Sequence, residues 1–551
     1  MFYSLRNLLA GYLGGISRRD LLQRGTLLTA APALFRNSGA AAAPAPATIG
    51  ALRIHPEDIY QSIGVRPLIN CRGTLTVLGG SLELPEVRAA KDAAAQHFVQ
   101  LDELMEAIGK RLAELTGAQW GMVASGCAAA IAHATAACVT GGNPDLHVRI
   151  PDLSGFAKDE VIIPKHSRNE YDQAIRSVGV RIVEVADAAE YESALGPKAA
   201  MVYVFAGPRA ESGPLSYDAI YSIARRKNIP VLVDAAAEML TIPNVHLQKG
   251  ATLVGYSGGK CIRGPQCAGL LLGRKDLVKA AWIASAPHHG HGRTMKLGKE
   301  EAVGMLAAVE MWIKRDHKAE MDTWVSWLKN IAARVSVIDG LNTAIREPRG
   351  LSNHSPGLTI SWDPAKLGIT GEEVAAILFN TEPRIALGSL GRRGGAPISN
   401  ETGISISAYM MSPGEDKIVG ERIYQVLSAK RPSGNNVPTA PGGDLTGRWG
   451  IHIEFAAGSS DHRMHIRQQG NRLEGTHDGD FVARDLYGTI AGNDVHIAST
   501  VGEEHGAALS YRFSGKLEGE TMSGTLDMGE YLTATWTARR HSFGGSAGDV
   551  G

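Results

Sequence analysis

Net charge is the first thing this chain lacks. Across 551 residues, 56 lysines and arginines meet 56 aspartates and glutamates, so no basic or acidic excess points to nucleic acid or to an anionic membrane surface. Cysteine is scarce and odd in number. The five, Cys71, Cys127, Cys138, Cys261 and Cys267, all lie in the first half, a distribution that makes no disulfide framework and suits a chain folded in a reducing compartment. Also missing is any run apolar enough to serve as a lasting transmembrane helix. A hydrophobic fraction of 44% with 20% charged residues leaves the composition of an ordinary globular enzyme.

The N-terminus departs from that plainness. "ISRRDLLQRG" (Ile16–Gly25) sets Arg18 and Arg19 before a short apolar run, which gives way to an alanine-proline tract ending near Ala47. A basic flank, a modest apolar core and small-residue sites read as a cleavable twin-arginine signal over residues 1–47, cut between about Ala40 and Ala47. The expectation is export of a folded chain to the periplasm or beyond. About 500 residues then remain, enough for three or so domains.

From Arg66 to about Lys279 short apolar runs alternate with amphipathic helical ones. "WGMVASG", "EVIIPK", "VRIVEVA", "AAMVYVF", "IPVLVDAA", "ATLVGYS" and "AGLLLG" read as buried strands. This pattern indicates an α/β domain with a mostly parallel sheet, spanning residues 50–298. Residues 299–431 read as a smaller α+β domain. "RPSGNNVPTAPGG" (Arg431–Gly443) is a linker, and behind it the pattern turns to period two with turns about every ten residues. Residues 444–540 therefore read as an all-β barrel or sandwich. The Trp449 of "DLTGRWGI" is expected in its core. Residues 541–551 read as a disordered tail.

Three stretches carry chemistry. "YSGGKCIRGPQCAG" (Tyr256–Gly269) holds Lys260 in a glycine-rich turn after a strand; "VLVDAAAE" ends a strand at Asp234; "ASGCAAAIAHA" opens a helix at Ser125, Gly126 and Cys127. Open parallel sheets bind ligands beyond the carboxyl ends of their strands, where all three converge. A helix N-terminus offers N–H groups to a phosphate, a buried carboxylate can hold a pyridine nitrogen protonated, and a desolvated lysine can form a Schiff base. In this order they describe a site for pyridoxal 5′-phosphate.

These residues, with "INCRGTLTVLGGS" (Ile69–Ser81), resemble the selenocysteine-synthase-like branch of fold-type-I pyridoxal-phosphate enzymes, which also includes D-glucosaminate-6-phosphate ammonia-lyase. The resemblance covers about Pro56 to Leu427. It implies that Lys260 bonds the cofactor, that Asp234 partners its pyridine nitrogen, and that Ser125, Gly126, Cys127 and Ser257 hold its phosphate. His166 would stack on its ring. Arg384 would clamp a substrate carboxylate and Thr74 would meet substrate; separately, the glycine-rich stretch Ala286–Glu300 reads as a loop over the active site, with Arg293 meeting substrate or phosphate. At least a homodimer is implied.

A signal leading almost directly into the catalytic segment and a neutral chain argue against a transfer-RNA substrate. The expected reaction is α-proton abstraction from a small amino acid or amino-sugar acid, with Lys260 as base, followed by β-elimination and ammonia release. Racemisation or transamination is the first alternative; a non-catalytic ligand-binding protein using its β-domain is the second. His288, His289 and His291 lack accompanying ligands at a recognised spacing, so no metal is expected.

Overall fold

The computed structural model describes residues 52–55, 58–390, 402–431, 439–502 and 508–541. The signal segment, most of the linker and the C-terminal tail lie outside the described residues. The described residues before Arg66 belong to a unit of their own and include a 3-10 turn, Gln61–Ile63, on which Ser62 is buried.

A short strand, β1 (Ile69–Asn70), precedes the central sheet. Its seven strands are β2 (Trp120–Ala124), β3 (Glu160–Pro164), β4 (Arg181–Val185), β5 (Ala199–Phe205), β6 (Val231–Asp234), β7 (Leu253–Ser257) and β8 (Gly269–Gly273), in the spatial order 2-8-7-6-5-3-4. All neighbours are parallel except β8, which runs antiparallel to both β2 and β7. Two reversals restore the direction, so β2, β6 and β7 end on the same edge of the sheet. Strands such as "EVIIP" and "GLLLG" are buried along their whole length, as expected of a parallel sheet covered on both faces.

The helix Gly126–Thr140 is apolar on every side and buried from Ala129 to Thr140, the mark of a helix with protein all round it. It packs on the sheet and on the helix Lys275–Ala284. Gly269 permits its approach: a Cβ there would collide with the backbone of Gly126 and Cys127.

The smaller domain holds β9 (Leu341–Arg346), β10 (Gly357–Trp362), β11 (Ile385–Ala386), β12 (Gly388–Ser389) and β13 (Thr402–Ser407). Four make an antiparallel sheet ordered 12-13-10-9, while β11 pairs in parallel with β1. The helices His317–Val335, Gly371–Asn380 and Glu415–Ser428 contribute to a core of its own around Leu328, Ile360, Trp362 and Ile423.

Eight antiparallel strands close a barrel: β14 (Gly447–Glu454), β15 (Ser459–Gln469), β16 (Arg472–Asp478), β17 (Ala483–Ala491), β18 (Asp494–Gly502), β19 (Ala508–Glu518), β20 (Thr521–Asp527) and β21 (Thr533–Arg540). Alternation does the sorting: on β14, Trp449, Ile451 and Ile453 point inward while Arg448 and Gly450 stay exposed. The sequence left barrel and sandwich open; pairing of β21 with β14 makes it a barrel. Trp449, Phe513 and Trp536 fill its interior. Toward one end the filling is polar. His477 Nδ1 lies 2.7 Å from Ser499 Oγ, and its Nε2 lies 2.8 Å from His462 Nδ1.

Among the described residues no helix is long and apolar enough to cross a membrane, and the five cysteines are free.

Candidate active site

Asp234 ends β6, Ser257 ends β7 three residues before Lys260, and Ser125 follows β2, so one sheet edge carries all of them. Asp234 is 2% exposed. Its Oδ2 accepts the Tyr203 hydroxyl at 2.8 Å, and its Oδ1 accepts the Ala236 N–H at 3.1 Å and faces Cys127 Sγ at 3.6 Å. Burial pushes the Asp234 carboxyl above its usual range; the Tyr203 and Ala236 donors and the Lys260 ammonium pull the other way. Such a carboxylate is completed by a cation placed against it. The Cys127 thiol is driven well up, first by burial and then by Asp234, so it is a packed neutral group and not a nucleophile.

The other end of the site is a helix N-terminus. Ser125 occupies the N-cap without using its side chain as a cap, which leaves the hydroxyl and the first-turn N–H groups for an anion. Gly126 has φ +87°, and a Cβ there would point into open space. The conformation calls for glycine and the space in front of it is a cradle. Glycine is needed again before the lysine: a Cβ on Gly258 would sit 2.7 Å from Met305 Sδ, and one on Gly259 would clash with Gln266. Tight packing thus fixes the turn that presents Lys260.

His166, just past β3, has Nε2 3.1 Å from the Leu215 carbonyl and Nδ1 3.1 Å from Ser167 Oγ, which holds its ring at the same sheet edge. Thr74 is held from the smaller domain: its hydroxyl lies 2.7 Å from the Tyr409 hydroxyl, which also accepts the Thr74 N–H at 3.1 Å. Arg384 is turned against its own backbone. Its guanidinium lies over the Phe379 ring at 3.9 Å, with Nε donating to the Phe379 carbonyl at 2.9 Å and Nη1 to the Arg66 carbonyl at 3.4 Å. Arg293 lines a shallow surface cavity with Val148, His289 and His291. Among the described residues no three His, Cys, Asp or Glu side chains come together as a metal-ligand set.

Two groups escaped the sequence reading. Tyr203 lies inside the apolar run "AAMVYVF", where only its polar tip hinted at more than core. Its hydroxyl also takes an N–H from Asn169 at 3.3 Å. Glu238, four residues past Asp234, is buried against His246 at 2.6 Å. Another cavity, bordered by Ala118, Val231, Thr252 and Arg274, sits at the amino ends of the strands.

No protein-family model matches the chain. It is 34% identical to D-glucosaminate-6-phosphate ammonia lyase of Salmonella typhimurium (strain 14028s / SGSC 2262), over 59% of this chain and 88% of that protein. The solved structure of a D-glucosaminate-6-phosphate ammonia-lyase superposes with a TM-score of 0.59 at 30% identity, covering 67% of this chain and 99% of the other.

The chain belongs to this family of fold-type-I pyridoxal-phosphate enzymes.

Other relatives carry other chemistries. A 5′-C-glycyluridine monooxygenase-decarboxylase of a Streptomyces species is 33% identical over 60% of this chain and 83% of that protein, and an L-seryl-tRNA(Sec) selenium transferase of Moorella thermoacetica 27% over 56% and 68%. The pyridoxal-phosphate enzyme described here offers its cofactor a buried carboxylate, a glycine cradle at a helix N-terminus and a lysine, and these residues fit the group. Asp234 would face the pyridine nitrogen, Ser125 and Gly126 the phosphate, and Lys260 the aldehyde carbon.

Proposed function

We propose that this enzyme is an ammonia-lyase acting on an amino-sugar acid. The relationship to D-glucosaminate-6-phosphate ammonia lyase, over 88% of that protein, carries the reading, and the Asp234–Lys260 edge of the sheet supports it. When bound, the cofactor supplies an electron sink for the bond pair left at Cα. The chain supplies the rest. Lys260 Nζ takes the α-proton and returns a proton to the departing β-hydroxyl, which leaves as water. Hydrolysis returns one water, so the net products are ammonia and a 2-oxo-3-deoxy acid. Asp234 keeps the cofactor's ring nitrogen protonated, and its ties to Tyr203 and Ala236 fix the direction in which it does so.

Absorbance and product release test the reading together. Purified protein should show a band near ~420 nm that borohydride abolishes and that Lys260→Ala lacks. A panel of amino-sugar acids, phosphorylated and not, should yield ammonia and 2-oxo acid in equal amounts. Racemised or transaminated product without net ammonia would replace the lyase by an isomerase or aminotransferase.

We further propose export by the twin-arginine route, on the strength of Arg18 and Arg19 ahead of the short apolar run. Export in the folded state would deliver an enzyme already loaded in the cytoplasm. A reporter fusion should move outside the cytoplasm, and Arg18→Lys/Arg19→Lys should retain it there; equal location for both would remove the claim.

A further inference from the structure

The turn that carries Lys260 ends on a strained residue. The Arg263 N–H donates to the Lys260 carbonyl at 3.0 Å, and Arg263 has φ +59°. That left-handed conformation disfavours a side chain with a Cβ, yet the position holds an arginine. Among the described residues only Asn228, Arg263, Asn353 and Leu532 are non-glycines with positive φ. One of them, Arg263, lines a narrow cavity of about 30 Å³, and another, Asn353, precedes His354, which also lines it. Backbone strain retained beside a cavity is characteristic of ligand clamps.

Charge in the cavity is unevenly settled. Arg315 is gripped by Glu320 through two bonds of 2.7 and 2.9 Å and donates to the Cys261 carbonyl at 3.0 Å, so its charge is matched and its guanidinium fixed. Arg263 has only its Nε engaged, by the Leu82 carbonyl at 3.0 Å, and forms no ion pair with an acid among the described residues. Tyr409 lines the same cavity and holds Thr74. Against two arginines and the histidines His317 and His354 the lining offers a single carboxylate, that of Glu320.

We propose that Arg263 anchors the acidic group of the substrate: an oxyanion, carboxylate or phosphate, seats at the mouth of the cavity beside the Lys260 turn and is held by the open edge of the Arg263 guanidinium. Tyr409 and His354 flank it. This assignment rests on the amino-sugar-acid reading. A planar fork suits a carboxylate or phosphate better than a lysine does, which gives a reason to keep arginine where the backbone favours glycine.

Calorimetry on the cofactor-loaded protein tests it, with D-gluconate, D-gluconate 6-phosphate and inorganic phosphate as probes. None carries an amine, so none can react. Wild type should bind at least one of the sugar acids, more weakly as salt rises, and Arg263→Gln should weaken that binding tenfold or more, with Arg263→Lys between. Loss confined to the two phosphate probes names a distal phosphate as the anchored group; loss for both sugar acids with inorganic phosphate unaffected names the carboxylate, and loss for all three names a seat that takes either oxyanion. Arg263→Gly, which suits the backbone, guards against misfolding and should lose binding as Arg263→Gln does while keeping the ~420 nm band. Wild-type affinities in Arg263→Gly would overturn the anchor alone. A loaded wild type that binds neither sugar acid would overturn the amino-sugar-acid reading as well.

Discussion

The Tyr203 hydroxyl donates to Asp234 Oδ2 at 2.8 Å, from the strand next to the one that ends in Asp234. Burial alone would favour the neutral acid; this donor favours the carboxylate. In Tyr203→Phe the Asp234 pKa therefore rises further, and its charged form is lost at a higher pH than in wild type. Activity should fall roughly 10- to 100-fold, the usual range for a residue that orients a ligand-holding group, with the acidic limb of the kcat/KM profile moved to higher pH. Asp234→Ala should lose more. A pH–rate profile identical to wild type would remove Tyr203 from the site.

Two glycines separate cofactor binding from folding. Gly126→Ala places a methyl in the open space before the helix N-terminus and strains φ +87°. It should cost about 1–2 kcal/mol of stability and weaken cofactor affinity tenfold or more, read by titrating apo-protein and following the band near ~420 nm. Gly269→Ala drives a Cβ into the backbone of Gly126 and Cys127, so melting temperature falls steeply. Equal thermal loss in both variants would argue against a cradle at Gly126.

His133 makes the large domain acid-sensitive. It is wholly buried in the helix Gly126–Thr140, and neither ring nitrogen has a hydrogen-bond partner among the described residues. Burial, with His291 and His147 nearby, lowers its pKa from 6.5 to about 3. The unfolded chain takes up a proton near pH 6.5 that the folded chain refuses until about pH 3. Stability from this group is therefore complete above about 6.5 and is lost as pH falls toward 3, by roughly 2 kcal/mol at pH 5. His133→Leu should melt higher than wild type at pH 5 and narrow the gap between pH 5 and 7.5. A variant with an unchanged gap would assign the acid sensitivity elsewhere.

In the barrel the same substitution should do the opposite. His477 is bonded through both nitrogens, to His462 and Ser499, so His477→Leu strands two buried partners and should destabilise by about 1–3 kcal/mol. Differential scanning calorimetry should show the loss, with the absorbance near ~420 nm untouched. A cofactor band that disappears with His477→Leu would mean the barrel supports the site.

Much of this architecture was legible because burial leaves a mark in composition. The strands from Trp120–Ala124 to Gly269–Gly273 are runs of Val, Ile, Leu and Ala too short for helices, and barrel strands such as Gly447–Glu454 alternate in period two. Lys260, Asp234 and Ser125 stood out because glycine or a strand end marked each of them. Tyr203 did not, since a tyrosine within an apolar strand is indistinguishable from core until the neighbouring strand sets its partner. Arg384 shows the complementary difficulty. Its motif resembled a clamp, but whether a guanidinium faces a ligand or its own backbone carbonyls depends on where the chain folds around Phe379 and Arg66.

Pairing of β14 with β21 has a consequence for biosynthesis. The barrel cannot close until Thr533–Arg540 has left the ribosome, whereas every residue that would touch the cofactor is made long before. A chain cut short before Thr533 would carry an open sheet, with unpaired edges that invite aggregation. Thr533–Arg540 thus acts as the latch of the barrel, since its pairing with β14 removes both open edges at once.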